Sequence, residues 1–213
     1  MTNAEKEGKR MEQTAKQVAE RVLARLGVEI EASGRHVHLS RRDLEALFGP
    51  GAELTPVRPL SQPGQFVCAQ RVTVAGPKGE LHSVVVLGPE RKESQVEISL
   101  TDGVALGVAP PVRQSGDVAG SAPVTLIHGD RRVELPHGLI AALRHVHMTP
   151  EDAALQGLRD GQVVRLKCFT ARPLIFDDVV VRVSDRFATY AHIDYDEANA
   201  CGFQKGDRGL ILS

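Results

Sequence analysis

Arg35-His36-Val37-His38-Leu39-Ser40 recurs further along the chain as Arg144-His145-Val146-His147-Met148-Thr149. Both histidines move together by 109 positions, 36 to 145 and 38 to 147. Self-similarity on this scale decides the architecture before any single element is read. Each copy runs into the same local signal. Ser40-Arg41-Arg42-Asp43 and Thr149-Pro150-Glu151-Asp152 put a hydroxyl N-cap three residues ahead of a carboxylate. Pro150 suits the first helical position, and Gly49 and Gly157 follow as stops. Both copies read as strand, His-x-His, short capped helix.

Working outward, Glu97-Ile98-Ser99 matches His192-Ile193-Asp194 at an offset of 95. The same offset sets Arg91 opposite Arg186 and Val84-Val85-Val86 opposite Val179-Val180-Val181. The drop from 109 to 95 implies a net 14 more residues between the two segments of the first half. Short Val-rich runs punctuated by Gly and Pro fill the rest, among them LHSVVVLG, PVTLIHG, GQVVRLKCF and DDVVVRV. The expectation is a mainly β fold of two related β-barrel domains from an internal duplication, with short helices. Met11, Ala15, Val18, Val22 and Leu26 recur at three- and four-residue steps and predict an N-terminal amphipathic helix ending near Gly27. The expected domains are an extension and helix over 1–27, a first barrel half over 28–110 and a second over 123–213. A Pro/Gly/Ser-rich linker is expected over 111–122, with the chain ends free to cross between barrels.

Composition narrows the function classes. A formal net charge of −1 supplies no basic field, and aromatics at 4% supply no stacking platform, so no nucleic-acid partner is expected. No apolar run approaches the ~20 residues of a membrane span, and the N-terminus lacks the apolar region of a secretory signal. Cys68, Cys168 and Cys201 are far apart, without a CxxC, and read as reduced, buried thiols.

In a strand, residues two apart share a face. His36 and His38 then face one way with Val37 behind them, and His145 and His147 do so around Val146. Glu97 and His192 are each flanked by apolar neighbours that face away. Five imidazoles and one carboxylate suit zinc or another borderline first-row metal better than calcium or magnesium. Six ligands exceed one tetrahedral set and point to two metals with open positions. With one carboxylate against two divalent ions, such a site favours anions. Eight histidines in 213 residues would give one His-x-His about 0.3 times by chance. The repeat in matched context therefore carries the inference, and one copy alone would not. Arg91, six residues before Glu97, is read as an anion contact.

GRHVHLS, GPERKESQVEIS, LRHVHMTPEDA and HIDYDEANA, in this order, resemble the phosphate propanoyltransferase family, the phosphotransacylases of bacterial microcompartments. The resemblance spans about residues 15–213. It implies two β-barrels around a dinuclear zinc site, with two ions per chain. The implied reaction is interconversion of acyl-CoA (propanoyl-CoA or acetyl-CoA) and phosphate with acyl phosphate and coenzyme A. By motif match, His36, His38, Glu97, His145, His147 and His192 become zinc ligands and Arg91 the catalytic phosphate contact. Ser33 and Asn199 fall at coenzyme A positions. The resemblance also implies a bacterial cytoplasmic or microcompartment location, with homo-oligomers and microcompartment shell or core proteins as further partners. Read from the residues alone, two rivals stay open: a dinuclear metal-dependent hydrolase and a scaffold with structural zinc.

Overall fold

A computed structural model describes residues 5, 8–11, 13–15, 18 and 27–213. The first half contains β1 (Gly27–Ser33), β2 (His36–His38), helix α1 (Arg41–Phe48), β3 (Pro56–Pro59), β4 (Phe66–Ala75), β5 (Glu80–Gly88) and β6 (Gln95–Ile98). Helix α2 (Leu100–Leu106), β7 (Val112–Arg113), β8 (Ala122–His128) and β9 (Arg131–Ala142) follow. The chain ends with β10 (His145–Met148), α3 (Pro150–Gln156), β11 (Val163–Phe169), β12 (Ile175–Val183), β13 (Tyr190–Asp194), α4 (Tyr195–Cys201) and β14 (Arg208–Leu212).

The strands close into two six-membered rings. One runs β1-β13-β10-β12-β11-β14. The other runs β9-β6-β2-β5-β4-β8, with β8 hydrogen-bonded to both β4 and β9. The rings repeat one another in order and in sense: β6·β9 and β1·β13 are parallel, β2·β6 and β10·β13 antiparallel, β2·β5 and β10·β12 parallel. Register repeats too. His36 pairs with Val85 and Glu97, as His145 pairs with Val180 and His192.

Strand pairing does not follow the expected halves. β1 precedes β2 in the chain but closes the ring of β10, and β9 precedes β10 but closes the ring of β2. By those bounds the first half lends β1, and the second lends β8 and β9, to the other barrel. The expected linker at 111–122 contains β7, which pairs with β9, and leads straight into β8. The cores are filled accordingly. Val37, Val86, Val96 and Leu126 of one barrel pack with Leu135 and Leu139 from β9. Val146, Val181 and Ile193 of the other pack with Val28 and Ile30 from β1. Aliphatic side chains do this work in a chain without Trp, each buried one being worth roughly 1.5–3 kcal/mol.

The extra residues of the first half lie largely between α1 and β4, where 49–65 stand against only 157–162 between α3 and β11. This insert, which includes β3, is mostly exposed. Gln62 carries its one buried side chain: the amide donates to the Ala188 carbonyl (3.0 Å) and accepts from the Ala188 N–H (3.3 Å), tying the insert to the second barrel. At the N-terminus the described residues are helical, and Met11, Ala15 and Val18 of the predicted stripe are exposed; Val22 and Leu26 lie outside the described residues. Among the described residues no helix is long and apolar enough to cross a membrane.

Candidate active site

Each predicted ligand stands two or four residues before a helix N-cap. His38 precedes Ser40, the N-cap of α1, whose side chain accepts from the Asp43 N–H; His147 precedes Thr149, which accepts from Asp152 in α3. Glu97 precedes Ser99, and His192 precedes Asp194, the N-caps of α2 and α4, both with a reciprocal capping box. Caps end the strands at defined residues, and buried polar bonds hold those ends. Ser94 donates to Asp43 (2.6 Å) and accepts from the Ser40 N–H (2.9 Å); Thr189 does the same for Asp152 and Thr149. Arg35 reaches Asp102 and Arg144 reaches Glu197, each at 2.8 Å, joining each His-x-His strand to the helix behind the third ligand.

Alternation puts Val37, Val96, Val146 and Ala191 in the cores. The ligand side chains therefore point out of the barrel walls, into a cavity of about 650 Å³ lined by both barrels. Two groups form there. His36, His38 and Glu97 bring their ligand atoms within 4.8 Å of one another, and so do His145, His147 and His192. The His36 and His38 rings lie 5.0 Å apart, and His145 and His147 4.5 Å. His192 stacks on His145 at 5.0 Å.

The ring nitrogens test whether a metal fits. His36 Nδ1 donates to the Gly34 carbonyl and His145 Nδ1 to the Leu143 carbonyl, both at 2.8 Å, which leaves Nε2 with its lone pair toward the group. His38 and His147 are the reverse: their Nδ1 atoms are buried without any hydrogen-bond partner. A buried unsatisfied polar atom costs about 1–3 kcal/mol. The same unsatisfied atom at the same place in both barrels suits a nitrogen available to bond a metal. The donor set fits a metal.

Protonation agrees. Burial pushes His38, His145 and His192 down and His147 down to about 3, with neighbouring histidines or Arg182 adding repulsion. Neutral imidazole is the ligating form. Burial alone would lower His36 and raise Glu97, but their mutual attraction reverses both, so His36 lies above its usual range and Glu97 well below. A depressed histidine binds its proton in the unfolded chain, near pH 6.5, long before it does so in the fold. The metal-free protein should therefore lose stability as pH falls from about 6.5 toward 3. Urea unfolding of demetallated protein should show a lower midpoint at pH 5.5 than at pH 7.5. The difference should shrink in His147→Gln; an equal difference would assign the effect elsewhere.

Arg91 lines the cavity and donates from Nη1 to Ser115 Oγ (3.0 Å). Ser33 also lines it. Asn199 is exposed on α4 and is not among the lining residues. Arg186 is exposed as well, outside the cavity. Three contributors escaped sequence reasoning. Ser115, within the expected linker, donates to Glu97 Oε1 at 2.6 Å. Buried Gln95 donates to the same oxygen and to Ser115. Arg182 enters from β12, paired in register with His147. Residues two before a ligand on the same strand are a usable signal for Gln95; Ser115 carries none.

Fold and site together define a double-barrel protein with twin clusters of side chains that could hold metal ions, around one arginine-lined cavity. Residues 29–204 match the family described as phosphate propanoyltransferase. The phosphate propanoyltransferase of Enterococcus faecalis is 64% identical over 86% of this chain and 87% of that protein. That of Listeria monocytogenes is 59% identical over 92% of each, and that of Thermotoga maritima 50% identical over 87% and 89%. The chain belongs to the phosphate propanoyltransferase family and is an acyltransferase.

Proposed function

We propose that the chain is a phosphotransacylase, moving an acyl group between coenzyme A and phosphate at a site holding two zinc ions. His36, His38 and Glu97 would hold one ion, and His145, His147 and His192 the other. The observation that carries this reading is that both ligand groups and Arg91 line the same cavity. Bound there, the metals supply Lewis acidity for the acyl carbonyl and stabilise a thiolate.

The chain's own residues do the rest. Arg91 holds phosphoryl oxygens through parallel N–H donors, and Ser115 fixes its guanidinium. In the direction of acyl phosphate formation, a phosphate oxygen attacks the thioester carbonyl carbon. The carbon–sulfur bond breaks, and coenzyme A leaves as thiolate. The insert at 49–65 and Phe187 narrow the cavity and limit water. Direct transfer is favoured over an acyl-enzyme. Cys68, Cys168 and Cys201 are buried away from the cavity, and burial pushes the Cys68 thiol up to about 11 and the Cys168 thiol to about 12. Among the described residues no serine is hydrogen-bonded to a histidine.

The test is release of coenzyme A from propanoyl-CoA or acetyl-CoA, with and without phosphate, before and after chelation. Release should require phosphate, stop on chelation and return with zinc. Release at the same rate without phosphate would instead identify a thioester hydrolase. Full activity in demetallated, folded protein would sink the metal mechanism.

A further inference from the structure

Val179 and Val181 of β12 face the core of the second barrel, which leaves Val180 and Arg182 on the opposite face. Parallel pairing with β10 sets Val180 beside His145 and Arg182 beside His147. Arg182 thus reaches the cavity from the second barrel, as Arg91 does from the first.

The two arginines are held differently. Arg91 is anchored on Ser115. Arg182 has neither a hydrogen bond nor a carboxylate partner among the described residues; its guanidinium lies over the Phe187 ring, 5.6 Å from the centroid. Phe187 in turn packs on the His147 ring at 4.2 Å. The carboxylates of the cavity are committed elsewhere. Glu97 is beside His36, Glu31 accepts from Ser61 (2.5 Å), and Asp194 caps α4. Arg182 is also near enough to Arg91 for the two to repel. Two guanidiniums converging on a cavity, one without a counter-charge, are stable neighbours when an anion lies between them.

We propose that Arg182 is the second phosphate-binding residue of the site, gripping the phosphoryl oxygens of inorganic phosphate and of acyl phosphate from the second barrel while Arg91 grips them from the first. The inference rests on the phosphotransacylase reading. Phe187 supports the guanidinium plane by a cation–π contact and leaves its N–H edge for the ligand. Twin grips from opposite walls would orient the phosphate toward the acyl carbon and offset its double charge.

Coenzyme A also carries phosphates, so the test must separate the two sources. Steady-state coenzyme A release is measured in Arg182→Gln and Arg182→Lys, varying phosphate and acyl-CoA independently and measuring metal per chain. Arg182→Gln should raise the KM for phosphate ~10-fold or more, with a smaller rise in Arg182→Lys, which keeps the charge and loses the fork. The KM for acyl-CoA and the metal content should match the wild type, and so should every constant of Arg186→Ala. An unchanged phosphate KM overturns the proposal. So does a rise confined to acyl-CoA, which would place the grip on coenzyme A, or metal loss parallel to activity, which would make Arg182 a support for His147. If Arg182→Gln does not fold, Arg182→Lys decides by the same readouts. A wild type whose release ignores phosphate would defeat the transferase reading itself, a result visible without any variant.

Discussion

Replacing His147 with alanine is expected to abolish coenzyme A release and to halve the metal bound per chain. His147 Nδ1 is buried and without a hydrogen-bond partner, which fits the proposed bond to a metal. Without it, His145 and His192 remain, and two imidazoles hold zinc far less tightly than three. The first group, His36, His38 and Glu97, is built on other strands and should keep its ion. Loss of a single residue next to a metal ligand typically costs 10–100-fold, so removing a ligand should cost activity at least ~100-fold. His145→Ala should behave alike, although its loss also frees the Leu143 carbonyl. Elemental analysis and the coenzyme A assay on the same preparations provide the check. Near-normal turnover with one ion per chain would show that the second group is structural.

Arg91→Ala should reduce kcat/KM for phosphate by about 2–4 kcal/mol in transition-state terms. The guanidinium lies in the cavity with burial working against its charge, and Glu97 and Ser115 work for it. A lysine ammonium cannot reproduce two parallel hydrogen bonds, so Arg91→Lys should recover only part. Metal content and acyl-CoA affinity should change little. Arg186→Ala, on the exposed loop after β12, should be near wild type. Kinetics in which Arg186→Ala impairs phosphate use as strongly as Arg91→Ala would place the phosphate pocket wrongly.

The contrast between Arg186 and Arg182 shows where repeat logic stops. An offset of 95 pairs Arg91 with Arg186, yet Arg186 is exposed and Arg182 occupies the cavity. Arg182 sits opposite Leu87 in the repeat, so comparing halves gives no reason to single it out. Its position follows from parallel registry with His147, which is a property of two strands and not of either sequence. Ser115 was hidden for another reason. A Pro/Gly/Ser-rich stretch reads as a connector whether it hangs in solvent or lies against Glu97.

Both groups of side chains that could hold a metal were legible, because i, i+2 spacing puts two histidines on one face of any strand and the repeat argues against chance. So were the capped helices, since an N-cap hydroxyl, a carboxylate three residues on and a following Gly act within one turn. These are short-range effects, written in adjacent residues. The exchange of β1 and β9 between barrels is not of this kind. If the halves are similar, each of these strands carries the same alternation, and Val28 and Ile30 would fill either barrel as Leu139 does. Sequence alone therefore determined which residues could bind metal and which elements carry them. Tertiary structure decided that two barrels interlock by exchanging strands and turn both ligand faces, with Arg91 and Arg182, onto one cavity, because backbone pairing between distant strands is chosen by the whole packed assembly and not by local pattern.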